Sequence, residues 1–394
     1  MRQGICVSLL LAAALVAGCR TKVVQTPIQY DRPLPIGQLA LRKITDPNEI
    51  PDFSAAWRDL DGLKPAVENS LNYLGKASSR HQFPHGDIKH NQVVKTLGMF
   101  LTLIDSGIRP EELNGVIHAH FDVYMSVGCD DQGTVLFTGY YTPIFEGSFE
   151  RTERFQYPLY KMPADLVKGP DGQTLGQRGA GGQITAYPSR GVIEKTGMLD
   201  GTELVWLSDP FETYIAHVQG SARLRMPDGE LITVGYAANN GHEYGSVGKA
   251  LIADRKVPSD RMSLAAMIDY FKRNPEDVGR YTQKNPRFVF FRISQETPHG
   301  SLNEPVTPMR TIATDKSIFP RAALTFIATK LPQAGGLAPY RGFTLDQDTG
   351  GAIRAPGRCD VYMGQGEEAG HRAGQTYQEG RLYYLFLRGS GPTL

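Results

Sequence analysis

Between residues 52 and 104 apolar side chains recur at helical spacing. Phe53, Trp57, Leu60 and Leu63 share one face, Val67, Leu71 and Leu74 continue it after Pro65, and Asp52 stands where an N-cap belongs. Val93, Val94, Leu97, Phe100, Leu101 and Ile104 mark a second helix, which Gly107 ends ahead of Pro110. Both faces read as core. From Thr134 the period shortens, and residues 134–141, 156–160, 204–207, 222–226 and 230–236 read as brief β runs. Pro227-Asp228-Gly229 joins the last two as a hairpin, because proline fixes φ and glycine accepts a positive one. Ser263 caps a helix over Leu264 to Lys272, a further helical stretch spans Pro275 to Tyr281, and strand returns at Phe288 to Ile293. Between Arg381 and Arg388 every residue is apolar or aromatic, which predicts a central strand covered on both faces. No internal repeat is present.

Composition adds two constraints. The 43 glycines and 26 prolines, spread along 394 residues, favour a β-rich chain over a helical bundle, and the length suits two domains. Lys+Arg number 42 against 41 Asp+Glu without a block of like charge, so nothing predicts capture of nucleic acid.

The N-terminus reads as an export signal. Arg2 is followed by an apolar run from Ile5 to Val16 and by Val16-Ala17-Gly18-Cys19, a lipobox. The run is too short to span a bilayer, so residues 1–18 are expected to be a lipoprotein signal peptide and Cys19 the lipidated first residue of the mature chain. Arg20, rather than an acidic residue, points by lipoprotein sorting rules to the periplasmic face of a Gram-negative outer membrane. Residues 19–50, rich in proline and without periodicity, read as a tether. With Cys6 removed, Cys129 and Cys359 remain, and the sequence leaves their pairing open.

Chemistry concentrates near the C-terminus. Asp346, Asp348 and Asp360 fall within fifteen residues, and glycines follow Asp348 and precede Asp360. An aspartate between Cys359 and Val361 is a candidate for burial and a raised pKa, as a general acid for glycosidic cleavage requires. The competing reading is a pair of turn aspartates beside a core residue.

The Asp348-Thr349-Gly350-Gly351-Ala352-Ile353 run, Asp360-Val361-Tyr362-Met363-Gly364 and Ala369-Gly370-His371-Arg372-Ala373-Gly374 resemble the three-aspartate domain of the membrane-bound lytic murein transglycosylase A family. The likeness extends upstream through Phe137-Thr138-Gly139-Tyr140-Tyr141, Val218-Gln219-Gly220-Ser221, Gly241-His242-Glu243-Tyr244 and Asn285-Pro286-Arg287-Phe288. The resemblance implies a mainly β chain with attached helices: a double-psi β-barrel (51–145 and 286–394, with N-terminal helices) interrupted by a smaller β-barrel (146–285), and a glycan groove between them. It implies nonhydrolytic cleavage of peptidoglycan glycan strands at the N-acetylmuramic acid to N-acetylglucosamine bond, leaving 1,6-anhydromuramic acid, with neither metal nor organic cofactor. It places the catalytic acid, then base, at Asp360, with Asp348 in support. Thr138, Tyr140, Tyr141, Gln219, Gly220, Gly350, Gly351, Tyr362 and His371 become candidate substrate contacts. Outer-membrane lipid, through Cys19, and proteins of wall synthesis and division become candidate partners.

Two alternatives survive on sequence: a hydrolase pairing Asp348 with Asp360, and a peptidoglycan-binding lipoprotein without chemistry. Asp348-Thr349-Gly350 also matches the aspartic-protease tripeptide, but such proteases need two copies and one is present. His81, His85 and His90, or His118 and His120, read as structural or solvated rather than metal ligands.

Overall fold

The computed structural model describes residues 28–170, 172–294, 297–333 and 335–389. Cys19 and the signal peptide lie outside them. Six strands form a closed ring: β1 (Val135–Thr142), β2 (Thr311–Ala313), β3 (Leu324–Gln333), β4 (Gly336–Asp348), β5 (Arg358–Gln365) and β6 (Tyr377–Leu387). The pairing runs β6-β3-β4-β2-β5-β1, and β1 pairs with β6 again. Two of the pairings, β2 with β4 and β1 with β5, are parallel. Closure leaves no free edge in the ring. Strand Phe121–Ser126 adds to β6 outside it, and Leu41–Lys43 adds to that strand in turn.

The barrel is filled by its own apolar alternation and covered by the two helices read from the sequence. Phe326, Phe343, Leu345 and Val361 are fully buried. Helices Leu63–Gly75 and His90–Ser106 pack together over this side, with the Phe100 and Trp57 rings 5.0 and 5.8 Å from Phe343. Gly107, at φ +64°, ends the second helix as expected. Consecutive residues Leu382 to Phe386 of β6 are all buried, because this strand has neighbours on both edges and cover on both faces. Gly139 is needed for packing: a side-chain carbon there would lie 2.7 Å from Ala373 Cα on helix Gly366–Gln375.

A second sheet holds Tyr157–Tyr160, Glu203–Leu207, Ile144–Ser148, Ser221–Arg225, Leu231–Asn239 and Val289–Ser294 in spatial order. A parallel bridge between Lys161 and Phe291 brings its two edges together, so it too curls into a small barrel. The Pro227-Asp228-Gly229 hairpin is present, pairing Arg225 with Leu231. This barrel has separate apolar clusters, one around Leu159, Val205, Leu224 and Val234 and another beneath helix Pro210–Gln219. The fold is therefore mainly β, with helices attached and a smaller barrel inserted in a larger one.

Three sequence expectations are revised. The helix expected from Asp52 is a 3₁₀ turn at Ala56–Arg58 followed by a separate α-helix, because Gly62 takes φ +68°, which no continuous helix contains. The expected tether to residue 50 already contains the paired strand Leu41–Lys43, so ordered chain begins earlier. The return expected at residue 286 comes later, since Val289–Ser294 still pairs with Leu231–Asn239 of the second sheet.

Candidate active site

Strand register assembles the acids. Ala313 of β2 is the Cα partner of Asp348 on one side and of Asp360 on the other, and Asp360 is the partner of Thr138 in β1. Partners in register project from the same face, so Asp348, Ala313, Asp360 and Thr138 form one rung across four strands. Two strand spacings set the Asp348 and Asp360 Cα atoms about 10 Å apart. The methyl side chain of Ala313 between them leaves a small pocket of about 240 Å³, lined by both aspartates, Ala313, Gly139 and Tyr140.

A bulge decides which aspartates face that pocket. In β4, Asp346 pairs with Ile312 while Asp348 pairs with the next residue, Ala313, so Gln347 is the extra residue. Alternation alone would put Asp346 and Asp348 on one face; the bulge sends them to opposite faces. Asp346 is fully buried, ion-paired with Lys316 and hydrogen-bonded by Thr314 Oγ1 at 2.8 Å and Tyr384 OH at 2.7 Å. It is structural. Gln347 is itself held, donating to the Ala66 carbonyl at 2.7 Å and Ser70 Oγ at 3.0 Å and accepting from Thr311 Oγ1 at 2.6 Å.

Asp348 is occupied on both oxygens. Oδ1 accepts from the backbone N–H groups of Ser301 and Thr349, each at 2.8 Å, and Oδ2 accepts from Tyr140 OH at 2.9 Å. Gly300 permits the first contact, since a side-chain carbon there would lie 3.1 Å from the Asp348 carboxyl carbon. Burial pushes Asp348 above the usual carboxylate range, against the pull of these donors.

Asp360 is freer. Its Oδ1 accepts from Thr138 Oγ1 and lies 3.8 Å from Arg358 Nη2, and its side chain keeps 17% exposure. No donor reaches Oδ2 among the described residues. Burial raises its pKa above the ordinary carboxylate value, the nearby Asp348 charge adds to that, and Arg358 and Thr138 oppose it. The arrangement is a partly desolvated acid with one unshared oxygen, on the floor of a pocket.

The pocket opens into a cleft of about 910 Å³ between the barrels. Tyr140, Gln219, Gly220, Gly350, Gly351 and Tyr362 all line it. Tyr140 and Tyr362 are register partners two residues along from the Thr138 and Asp360 pair, hence on the same face, with ring centroids 5.2 Å apart. Gln219 comes from the small barrel and accepts from the Tyr141 N–H at 3.4 Å, tying the cleft walls together. Two expected contacts lie elsewhere. Tyr141 alternates away from Tyr140 and is buried in the large-barrel core, against Gly370. His371 stands on the exposed side of helix Gly366–Gln375, 3.9 Å from Glu367. Cys129 and Cys359 are both buried and free.

Two residues not singled out from the sequence also reach the site. His217 lines the small pocket, and its Nδ1 accepts from the Val289 N–H at 3.1 Å. Burial and the neighbouring Arg190 charge hold the ring neutral, so its proton sits on Nε2. Arg287 lines both pocket and cleft. Its only sequence signal was its place in the Asn285-Pro286-Arg287 block.

Residues 136–292 match the family model described as the MltA specific insert domain, and residues 310–386 match the 3D domain. The chain is 32% identical over 272 residues to membrane-bound lytic murein transglycosylase A of Escherichia coli K12, an alignment covering 67% of this chain and 69% of that protein. The Vibrio cholerae protein of the same name is 33% identical over 269 residues, covering 67% and 68%. Among solved structures, the membrane-bound lytic murein transglycosylase of Agrobacterium tumefaciens superposes with a TM-score of 0.74 at 25% identity, covering 89% of this chain and 98% of that one. Escherichia coli MltA with bound chitohexaose gives 0.67 at 26% identity, covering 92% and 99%.

Proposed function

Because the chain belongs to the membrane-bound lytic murein transglycosylase A family, we propose that it is a peptidoglycan lytic transglycosylase that works with a single carboxyl group, Asp360. Protonated Asp360 gives its proton to the glycosidic oxygen between N-acetylmuramic acid and N-acetylglucosamine as the C1–O bond breaks. The resulting carboxylate takes the proton of the muramic C6 hydroxyl while that oxygen bonds to C1. The proton is back on Asp360, a 1,6-anhydro ring is formed, and no water is consumed. An internal hydroxyl competes well with solvent because its effective concentration at C1 is high.

The observation that supports this reading is the contrast within the rung. Asp360 has an unshared oxygen, whereas Asp348 has both oxygens engaged by three donors. A hydrolase needs its second carboxylate free to activate water or to attack C1. Asp348 instead supports Asp360 by its charge and by fixing Tyr140 and the backbone N–H groups of Ser301 and Thr349. A carboxyl group lifted by burial stays protonated closer to neutral pH, as the first step requires.

The same reading puts lipid on Cys19 and the chain on the outer membrane, supported by the Val16-Ala17-Gly18-Cys19 lipobox after the apolar run from Ile5 to Val16. The test is digestion of purified peptidoglycan by the wild type and by Asp360→Asn, with products weighed. Anhydro ends made by the wild type and absent from the variant are expected. Products heavier by one water would make the chain a hydrolase, and intact glycan that still binds would make it a binding module.

A further inference from the structure

The cleft is lined unevenly by charge. Among its described lining residues are three arginines, Arg287, Arg292 and Arg354, and one carboxylate, Asp348, whose oxygens are already engaged. Arg292 is exposed and hydrogen-bonds Asn303. Arg354 is half-exposed, with Asp315 at 3.8 Å.

Arg287 differs from both. It is partly buried, and its Nη1 donates to the His242 carbonyl at 3.1 Å, but among the described residues no carboxylate comes within ion-pair distance. Glu243 attracts it from further off, while Arg354 is close enough to repel it. Burial and that repulsion pull its pKa below the ordinary arginine value without neutralising it. A desolvated cation beside a second cation is unfavourable unless an anion completes the site.

Its position says where the anion would sit. Arg287 lines both the Asp360 pocket and the cleft, and a carbon added to Gly351 would lie 3.3 Å from its Nε. The guanidinium therefore flanks the Gly350-Gly351 turn and lines the same small pocket as Asp360. A glycan of N-acetylglucosamine alone carries no charge to offer there. A muramoyl residue does, through its lactyl arm.

We propose that Arg287 and Arg354 form a carboxylate subsite that recognises the muramoyl residue, taking either the free lactyl carboxylate of naked glycan or a carboxylate of the peptide extending from it. The planar guanidinium fork of Arg287 suits a two-point contact with a carboxylate. The subsite rests on the glycan-cleaving reading above, but its test does not use cleavage.

Binding is measured by calorimetry in the Asp360→Asn background, so that nothing is consumed. Three probes are compared: chitohexaose, a muramoyl glycan of the same length stripped of peptide, and that glycan with its peptides. Arg287→Gln is expected to weaken at least one muramoyl ligand about tenfold or more and to leave chitohexaose within about twofold. The loss should shrink at high salt and be partly restored by Arg287→Lys. A loss on the stripped glycan identifies the lactyl carboxylate, and a loss on the peptide-bearing glycan alone identifies the peptide. Equal loss on chitohexaose, or none on either muramoyl ligand, overturns the subsite. Failure of the wild type to cleave would sink the transglycosylase reading and leave this binding contrast intact.

Discussion

Thr138 and Arg358 act on the same oxygen of Asp360, and both favour its charged form. The acid step needs the neutral form, so activity should fall on the alkaline side as Asp360 ionises. Arg358→Gln removes a positive neighbour, leaving burial and Asp348 to dominate. Its alkaline limb is expected at higher pH than the wild type's, checked by kcat/KM across pH. Glu212 offers a parallel test away from the chemistry. Burial, with help from the Asp209 charge, lifts its pKa from 4.5 to about 7. In that window the folded chain holds a proton that the unfolded chain has lost, so stability declines as pH rises from 4.5 through about 7. Glu212→Gln has no such slope. It should gain in Tm on the wild type above pH 7 and lose the advantage near pH 4.5, read by thermal melts.

The element that organises the site is the bulge at Gln347. Its three side-chain hydrogen bonds reach Ala66, Ser70 and Thr311, so the bulge is pinned by a helix and a strand distant in sequence. Gln347→Ala leaves those buried groups without partners and should cost about 2 to 3 kcal/mol in urea unfolding. It should also lower activity by loosening Asp348. This explains which features were readable in the sequence. The helix over residues 90–106, the 227–229 hairpin and the buried last strand follow local periodicity and turn chemistry, and they stand where expected. Which of Asp346 and Asp348 turns inward depends on partners hundreds of residues away, which no window of the chain reveals. Tyr141 was a different kind of miss, because strand alternation already sets it opposite Tyr140. Arg287 and His217 reach the site through the packing of the second barrel on the first, a relation without a local pattern.

At the scale of the whole molecule, the two barrels keep separate apolar cores and meet across a polar cleft. A ligand lying in that cleft touches both, through Gln219 and Gly220 on one wall and Tyr140 and Gly350 on the other. Saturating glycan at about a hundred times its Kd should therefore stabilise the assembly by roughly 2.7 kcal/mol. In calorimetric melts of Asp360→Asn with chitohexaose, any separate transitions of the two barrels should merge or rise together. A rise in one alone would mean that the ligand rests on a single wall.

The ring of the large barrel closes only where β1 meets β5 and β6, strands more than two hundred residues apart in the chain. The acid and the threonine that holds it sit on that same late contact. A chain growing from its N-terminus thus carries no sealed barrel and no assembled acid until its final strand has been made. Synthesis order alone withholds the cutting centre from every incomplete copy, so a chain stopped short of residue 377 should show no activity, however much of the inserted barrel has already folded.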